Sequence, residues 1–418
     1  GDLKVDGNIL SGGNLQVDGK TAVIGDISVR NLTGKAVTAD GDSGVTLQAA
    51  SLHVGAPEVT DTTDYTGNMK IAGHAAFINK TVLSGNNEFG SLEFGRDVHL
   101  AKGDNTTGSL KLAKGVEARV GSDGKNGTAR IVTGHTDLAG GTIIADPGYG
   151  EQTTIVAMKS VGNSTPVTPE KPQEGTGGGS ADAGGSAGGA HGAPAKLAAA
   201  AAVGSAGELN GTLVALKNSV VAMGTEASDV DGALKELQTA FAPYFKNGSL
   251  QDPVSSPEAV GAIAYVAKPV TVQNGSKIVV DASRSYSEYQ SADADYKSKV
   301  ASNDVYMGKG SALAMHNSAV NSKANAAITF NKPDASIYAQ EGAKVLIAGT
   351  TINPNGPIRL FEDQNGSVDL TTENNATIKV ESVNGLFEAP DGLNPGKVGD
   401  VTMVVRPQVA EASYKDIS

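Results

Sequence analysis

The 418-residue sequence contains no cysteine and no tryptophan, and aromatic residues make up only 4% of it. Without cysteine there can be no disulfides, no thiolate metal sites and no thiol nucleophile. That suits a cytosolic protein, or an exported one that stays unfolded in transit. The aromatic shortage speaks against a large globular core and against sugar-stacking platforms, both of which draw on aromatic mass. Long apolar runs are missing as well: none approaches the ~20 residues a spanning helix needs, so no transmembrane segment is expected. Positive charge is also in deficit. Lys and Arg number 33 against 45 Asp and Glu, a net −12, which disfavours nucleic acid and anionic membranes as partners and favours solubility. The sequence opens at Gly1 with neither Met nor a signal peptide, which reads as a mature or excised fragment.

Glycine is abundant, at 54 of 418 residues, about twice the usual ~7%. The opening stretch shows what it is for. Leu3-Lys4-Val5, Leu15-Gln16-Val17 and Ile27-Ser28-Val29 recur at a step of twelve. Each triplet alternates with period two, the mark of a strand with one apolar face. Gly7-Asn8, Gly12-Gly13-Asn14 and Gly19 separate them, and these residues turn a chain at little cost. Strands this short bury their apolar face only by stacking on others of the same kind. Strand-like segments continue through 70–73, 77–83, 91–95, 109–112, 129–132, 142–145 and 153–157. Ile71, Leu92, Leu110 and Ile131 are spaced 21, 18 and 21, near one turn of a β-solenoid. The expected fold is mainly β, a right-handed parallel β-helix (solenoid) with an α-helical hairpin insertion.

Composition divides the chain. Residues 1–161 read as β-solenoid, and 162–194 as a Pro/Gly/Ser/Ala-rich linker or loop. Residues 195–248 read as a helical hairpin: Leu209, Leu213, Leu216, Val220 and Met223 are spaced 4, 3, 4, 3. Val230, Leu234, Leu237, Phe241 and Tyr244 repeat that spacing behind a cap at Ser228–Asp231, and Pro243 should end the second helix. The solenoid resumes over 258–388, broken by a polar excursion at 283–323. Short strands near 358, 368 and 378, ten residues apart, read as further rungs. Residues 389–418 hold a terminal strand, 400–405, and a tail.

Val305-Tyr-Met-Gly308, Ser311-Ala-Leu-Ala-Met315, Ala327-Ile-Thr-Phe330 and Ala339–Gly349 resemble the passenger region of Gram-negative autotransporters. The likeness is strongest over 300–380 and general in character over 1–160. It implies a β-helix threaded through an outer-membrane barrel, an extracellular or cell-surface location, and adhesion or self-association as the role. The barrel signature itself, a series of ten-residue strands with aromatic girdles, is absent here, and the linker and helical hairpin depart from the usual all-β passenger.

Sequence signals for chemistry are weak. Gly41-Asp-Ser43-Gly44 matches a serine-protease nucleophile motif, but no His precedes it to act as base, so a turn is the better reading. The six His (53, 74, 99, 135, 191, 316) lack metal-ligand spacing, although stacked rungs could bring distant ones together. Asp40–Asp42 and Ser122–Gly127 resemble calcium turns, so the cofactor expectation is none beyond weak Ca²⁺. The many Asn-x-Ser/Thr sequons follow from turn chemistry. Carboxylates paired for glycoside hydrolysis are set by the fold rather than the sequence. Three roles compete: an adhesive or self-associating passenger, a fibre or surface-layer subunit assembled head to tail, and a carbohydrate-active β-helix enzyme. The first is preferred, with no enzymatic activity. The partners expected are the protein itself, or glycans and proteins of a host or neighbouring cell. Open strand edges at the two ends, at Leu3, Val5, Leu15 and Val17 and at Val401 and Val405, are the candidate contact residues.

Overall fold

The computed structural model describes residues 2–34, 44–122, 128–146, 153–163, 205–225, 230–240, 259–317 and most of 326–346. Single positions at 242 and 250 are described as well, and from 347 to 406 only the backbone of strands. The structure is mainly β, and all its strand pairings are parallel. The candidate calcium turns, the Gly41–Ser43 motif, the low-complexity segment and Pro243 fall outside the described residues, as do Phe241 and Tyr244.

The repeat becomes visible in the register. Leu3 pairs with Thr21, Ile9 with Ile27 and Leu15 with Leu32. These offsets are 18, 18 and 17 residues, not twelve. The chain turns a corner about every six residues, so three sides complete a turn. The triplets at 3, 15 and 27 therefore lie on three different sides instead of stacking. The strands near 358, 368 and 378 also pair in parallel across turns and not with one another: Ile358 with Phe387, Leu370 with Ile337 and Val380 with Val345, so they are rungs and not a meander. Of the four apolar residues spaced 21, 18 and 21, only Leu92 and Leu110 pair directly.

Three columns of register result. One runs from Leu3 through Thr21, Leu47, Met69, Asn87 and Asn105. It continues through Ile131, Val156, Val221, Ala264, Leu313, Val345 and Val380 to Met403. A second starts at Ile9 and ends at Phe361. The third starts at Val17 and ends at Thr372. Side chains pointing between the columns form one apolar core from Val17 to Val345. Within it Phe77 and Phe94 stack at 5.7 Å. Asn87 Nδ2 donates to Asn105 Oδ1 at 2.8 Å, and Asn105 Nδ2 donates on to the Arg130 carbonyl at 3.1 Å. Such a ladder keeps buried amides hydrogen-bonded from turn to turn.

At one corner Gly90 and Gly108 lie directly over the preceding turn. A Cβ on Gly90 would stand 2.4 Å from the Ala72 carbonyl oxygen, and one on Gly108 2.5 Å from that of Gly90. Only glycine allows so close a backbone approach.

The expected helical hairpin over 195–248 is not what forms. Gly207–Leu209, Thr212–Leu216 and Ser219–Met223 are strands, and Leu213, Leu216 and Met223 are buried. Two five-residue strands around the Lys217-Asn218 turn place Leu213 and Val220, like Leu216 and Met223, seven residues apart. A heptad-like spacing thus arises without a helix. Asn218 takes the turn at φ 56°, a conformation Asn tolerates. Among the described residues of this span, α-helix is confined to α1 (Val230–Ala240). Two more helices, α2 (Tyr286–Gln290) and α3 (Ala294–Ser302), occupy the polar excursion. Ser285 and Glu288 form a capping box on α2, and Asp293 caps α3 through the Tyr296 amide.

The helices cover sheet faces that would otherwise be exposed. Leu234 of α1 and Ile155 pack on a cluster including Val132, Ala157, Val220, Ile263 and Tyr265. Arg130 ties the helix down through Asp231 at 2.8 Å. On another side, α2 and α3 set Tyr286, Tyr289 and Val300 on a cluster including Ile144, Val214, Val279, Tyr296, Tyr306 and Tyr338.

Candidate interaction surface

The contact residues expected from sequence divide between two sites that the fold keeps apart. Leu3 is 45% exposed, and Val5 and Leu15 are partly buried against the end of the core. Val17 is buried and belongs to the core itself. Val401 and Val405 lie on the strand Val401–Arg406, in register with Ile378 and Ser382, at the other end of the stack. Among the described residues, Leu3–Val5, Ile9–Val17 and Val401–Arg406 each pair on one edge only.

Sequence reasoning missed the strongest apolar exposure at the first of these ends. Leu10 is 74% exposed and Ile24 67%; with Leu3 they are the exposed large hydrophobics among the described residues. A signal was present. Ile9-Leu10 and Val23-Ile24 are adjacent apolar pairs: alternation in the strand turns Leu10 outward opposite to Ile9, and Ile24 directly follows the strand Lys20–Val23.

Register sets His74 and His135 on one ladder, with serines between them, while His53 and His99 lie on other ladders. Ser91 pairs with His74 and Ser109 with His135, and His135 pairs with Ser160, all on one outward ladder. His74 and Ser91 share a hydrogen bond of 2.8 Å, as do His135 and Ser160 at 2.9 Å. Glu93 lies 3.8 Å from His74 Nε2 and 3.7 Å from the Lys111 ammonium. Among the described residues no group of three His, Asp or Glu is placed to hold a metal ion.

Alongside runs a shallow cleft of about 320 Å³, lined by Lys70, Glu88, Thr106, Gly90, Gly108 and Val132 among others. Lys70 and Glu88 close one part of it with a 2.8 Å ion pair.

Among the buried ionisable residues, which include Asp146, Asp304 and Lys344, Asp281 has a structural role. Asp281 is fully buried. It accepts from the Ser283 amide at 3.0 Å and hydroxyl at 2.6 Å, and from the Tyr296 hydroxyl at 3.1 Å. Arg284 lies 3.4 Å from it and stacks on the Tyr296 ring. Burial still dominates, and it raises the Asp281 carboxyl above the ordinary carboxylate range. The cluster fastens the α2–α3 excursion to the stack. No helix among the described residues is long and apolar enough to cross a membrane. No family model, curated protein or solved structure matches this chain.

Proposed function

We propose that this chain is an exported bacterial surface protein of the autotransporter-passenger type. It is a right-handed parallel β-helix acting in adhesion or self-association, without enzymatic activity. The observation that carries this reading is the unbroken parallel register from Leu3 to Met403. Each turn is completed by the one before it, so the stack can grow turn by turn as an unfolded chain emerges from a pore. The absence of cysteine suits such transit.

The contact is homotypic. Among the described residues Leu3–Val5 and Ile9–Val17 pair on one edge only, Leu3 and Leu10 are exposed there and Ile24 on the next turn, and unpaired apolar edges recruit other chains. A strand of a second copy laid on Leu3–Val5 and Ile9–Val17 would continue the register. If the far end supplies that strand, the contact is heterologous and propagates as a filament. Replacing Leu10 and Ile24 together by Asp tests this. The expected result is an unchanged circular dichroism spectrum with loss of higher-mass species in sedimentation velocity and loss of cell aggregation. If assembly and aggregation both persist, end contact is wrong. Adhesion through the lateral faces, to glycans or proteins of a neighbouring cell, would then stand in its place.

A further inference from the structure

Five of the ten tyrosines in this aromatic-poor chain, residues 286, 289, 296, 306 and 338, converge on one face of the stack. Tyr306 and Tyr338 stack at 5.6 Å, while Tyr296 meets Tyr306 edge-on at 5.1 Å and Tyr289 at 6.2 Å. Most of these rings are spoken for. Arg119 lies 4.2 Å over Tyr286 and Arg284 4.0 Å over Tyr296, and the Lys299 ammonium sits 5.4 Å over Tyr338. Tyr289 carries no such cation and is only partly buried.

Tyr289 opens onto a slot of about 290 Å³ between the helices and the sheet. The floor is a register ladder: Thr142 pairs with Thr212 and Thr212 with Lys277. The roof is formed by Tyr289, Gln290, Lys297 and Val300. One step up the same ladder, Glu117 pairs with Thr142. That carboxylate accepts from Gln290 Nε2 at 3.0 Å and from the Tyr286 hydroxyl, which closes that end. Strand spacing of about 4.8 Å makes the ladder from Glu117 to Lys277 roughly 14 Å long. Two ammonium groups border the slot. Lys277 Nζ donates to the carbonyls of Ala301 and Asn303 at 2.5 and 2.8 Å, and Lys297 Nζ donates to the Gln290 carbonyl at 3.0 Å. Each ammonium has three donors, so Lys297 keeps two and Lys277 one; burial lowers the Lys277 pKa and Asp304 faces it as a counter-charge, which makes the exposed Lys297 the principal anion contact.

We infer that this slot binds an acidic saccharide, a hexuronate unit whose ring lies on Tyr289 and whose carboxylate meets Lys297 and Lys277. The chemistry selects the class. Sugar C–H faces pack on an aromatic ring, and threonine hydroxyls in a ladder serve ring hydroxyls as donor or acceptor. The ammonium pair distinguishes a uronate from a neutral hexose. A neutral apolar ligand would leave the amines and hydroxyls unpaired, which costs binding energy. The slot is near the lower limit for small-molecule sites, about 300 Å³, which suits one or two rings. This inference does not depend on end-to-end association, because the slot lies on the side of the stack and not at an end.

Isothermal titration of the intact chain with tri-galacturonate, and with a neutral galactose trisaccharide of equal length, tests it. The expected result is saturable binding of the acidic trimer that weakens with salt, and at least tenfold weaker binding of the neutral one. Tyr289→Ala and Lys297→Met should each weaken the acidic trimer tenfold or more. Tyr289→Phe, which keeps the ring, should retain binding within threefold. Both lossy variants are checked by thermal melting, and Lys297→Met removes a charge from an exposed position without emptying the core. Absence of binding at millimolar trimer, equal affinity for the neutral sugar, or full affinity in Lys297→Met would each overturn the proposal. Self-association is measured on the same variants. If it persists while sugar binding is lost, the two properties are separate.

Discussion

The strands before Val120 and those after Ala129 belong to the same stack but are clothed differently. In the first region many short strands alternate. Lys20–Val23, Ser51–Val54 and Glu117–Val120 bury every second residue and present Lys, His, Glu or Arg outward. In the second, Ser219–Met223 and Ala262–Val266 are buried at every position. The change can be followed along one outward ladder. It reads Lys70, Glu88 and Thr106, then Val132, Ala157, Ala222 and Tyr265. The inward face supplies stability everywhere, whereas the outward face is free to stay wet or to take a cover. Where it turned apolar, the chain added α1 on one side and α2 with α3 on another. Cover and surface must match, because an uncovered apolar ladder would be an aggregation site.

The sharpest way to break this contrast is to charge each layer in turn. Leu213 lies in the core between the columns at 1% exposure. An unpaired carboxylate there should cost several kcal/mol, roughly 3–5 by analogy with uncompensated buried charges, and disrupt the turns on either side. Leu234 lies under α1, only partly buried. Leu234→Asp should cost about 1–2 kcal/mol by exposing part of the covered face and leave the strand signal intact. Thermal melts followed in the strand region of the circular dichroism spectrum would rank the two. An equal loss would mean that α1 is as integral to the fold as the core.

The backbone offers a second test, of intermediate size. Gly90→Ala places a methyl 2.4 Å from a carbonyl oxygen of the turn below. Either the turns separate or the corner distorts, and a cost of about 1–3 kcal/mol is expected from overpacking. A fully stable Gly90→Ala would show that the corner relaxes freely.

The two regions also explain which parts of the fold could be read from the sequence. Period-two alternation is a signal of one wet face, and it located the strands at 27–29, 91–94, 109–112 and 142–145. It fails once both faces are buried. At Leu209–Met223 the remaining apolar spacing, set by two short strands and a turn, mimicked a helix. The twelve-residue step was misread for a related reason: the sides are alike, so an echo between two of them passed for a stacking repeat. The ends of the stack were legible through their triplets, but Leu10 and Ile24 were not singled out because the pattern was read for what it buried. The tyrosine slot was invisible. Thr142, Thr212 and Lys277 are far apart in sequence and parallel register sets them side by side, while α2 brings Tyr289 over them.

The smallest effect expected concerns the anchor between cover and stack. Asp281 fixes Ser283 and Tyr296, and so holds α3 against the strand Lys277–Asp281. Desolvation holds its carboxyl above the ordinary range even though Ser283, Tyr296 and Arg284 all favour the charged form. A carboxyl with a raised folded pKa binds its proton more readily in the folded chain than in the unfolded one. The stabilisation on protonation is therefore complete below the unfolded pKa, about 3.9. It is lost as pH rises through the higher folded value. Asp281→Asn removes the titration and keeps an acceptor oxygen for Ser283. It should therefore remove Asp281's share of the loss of stability with rising pH, making the slope of stability against pH more positive, without abolishing the fold. A slope unchanged from the parent, measured by urea unfolding between pH 4 and 8, would show that Asp281 is not the group that sets it.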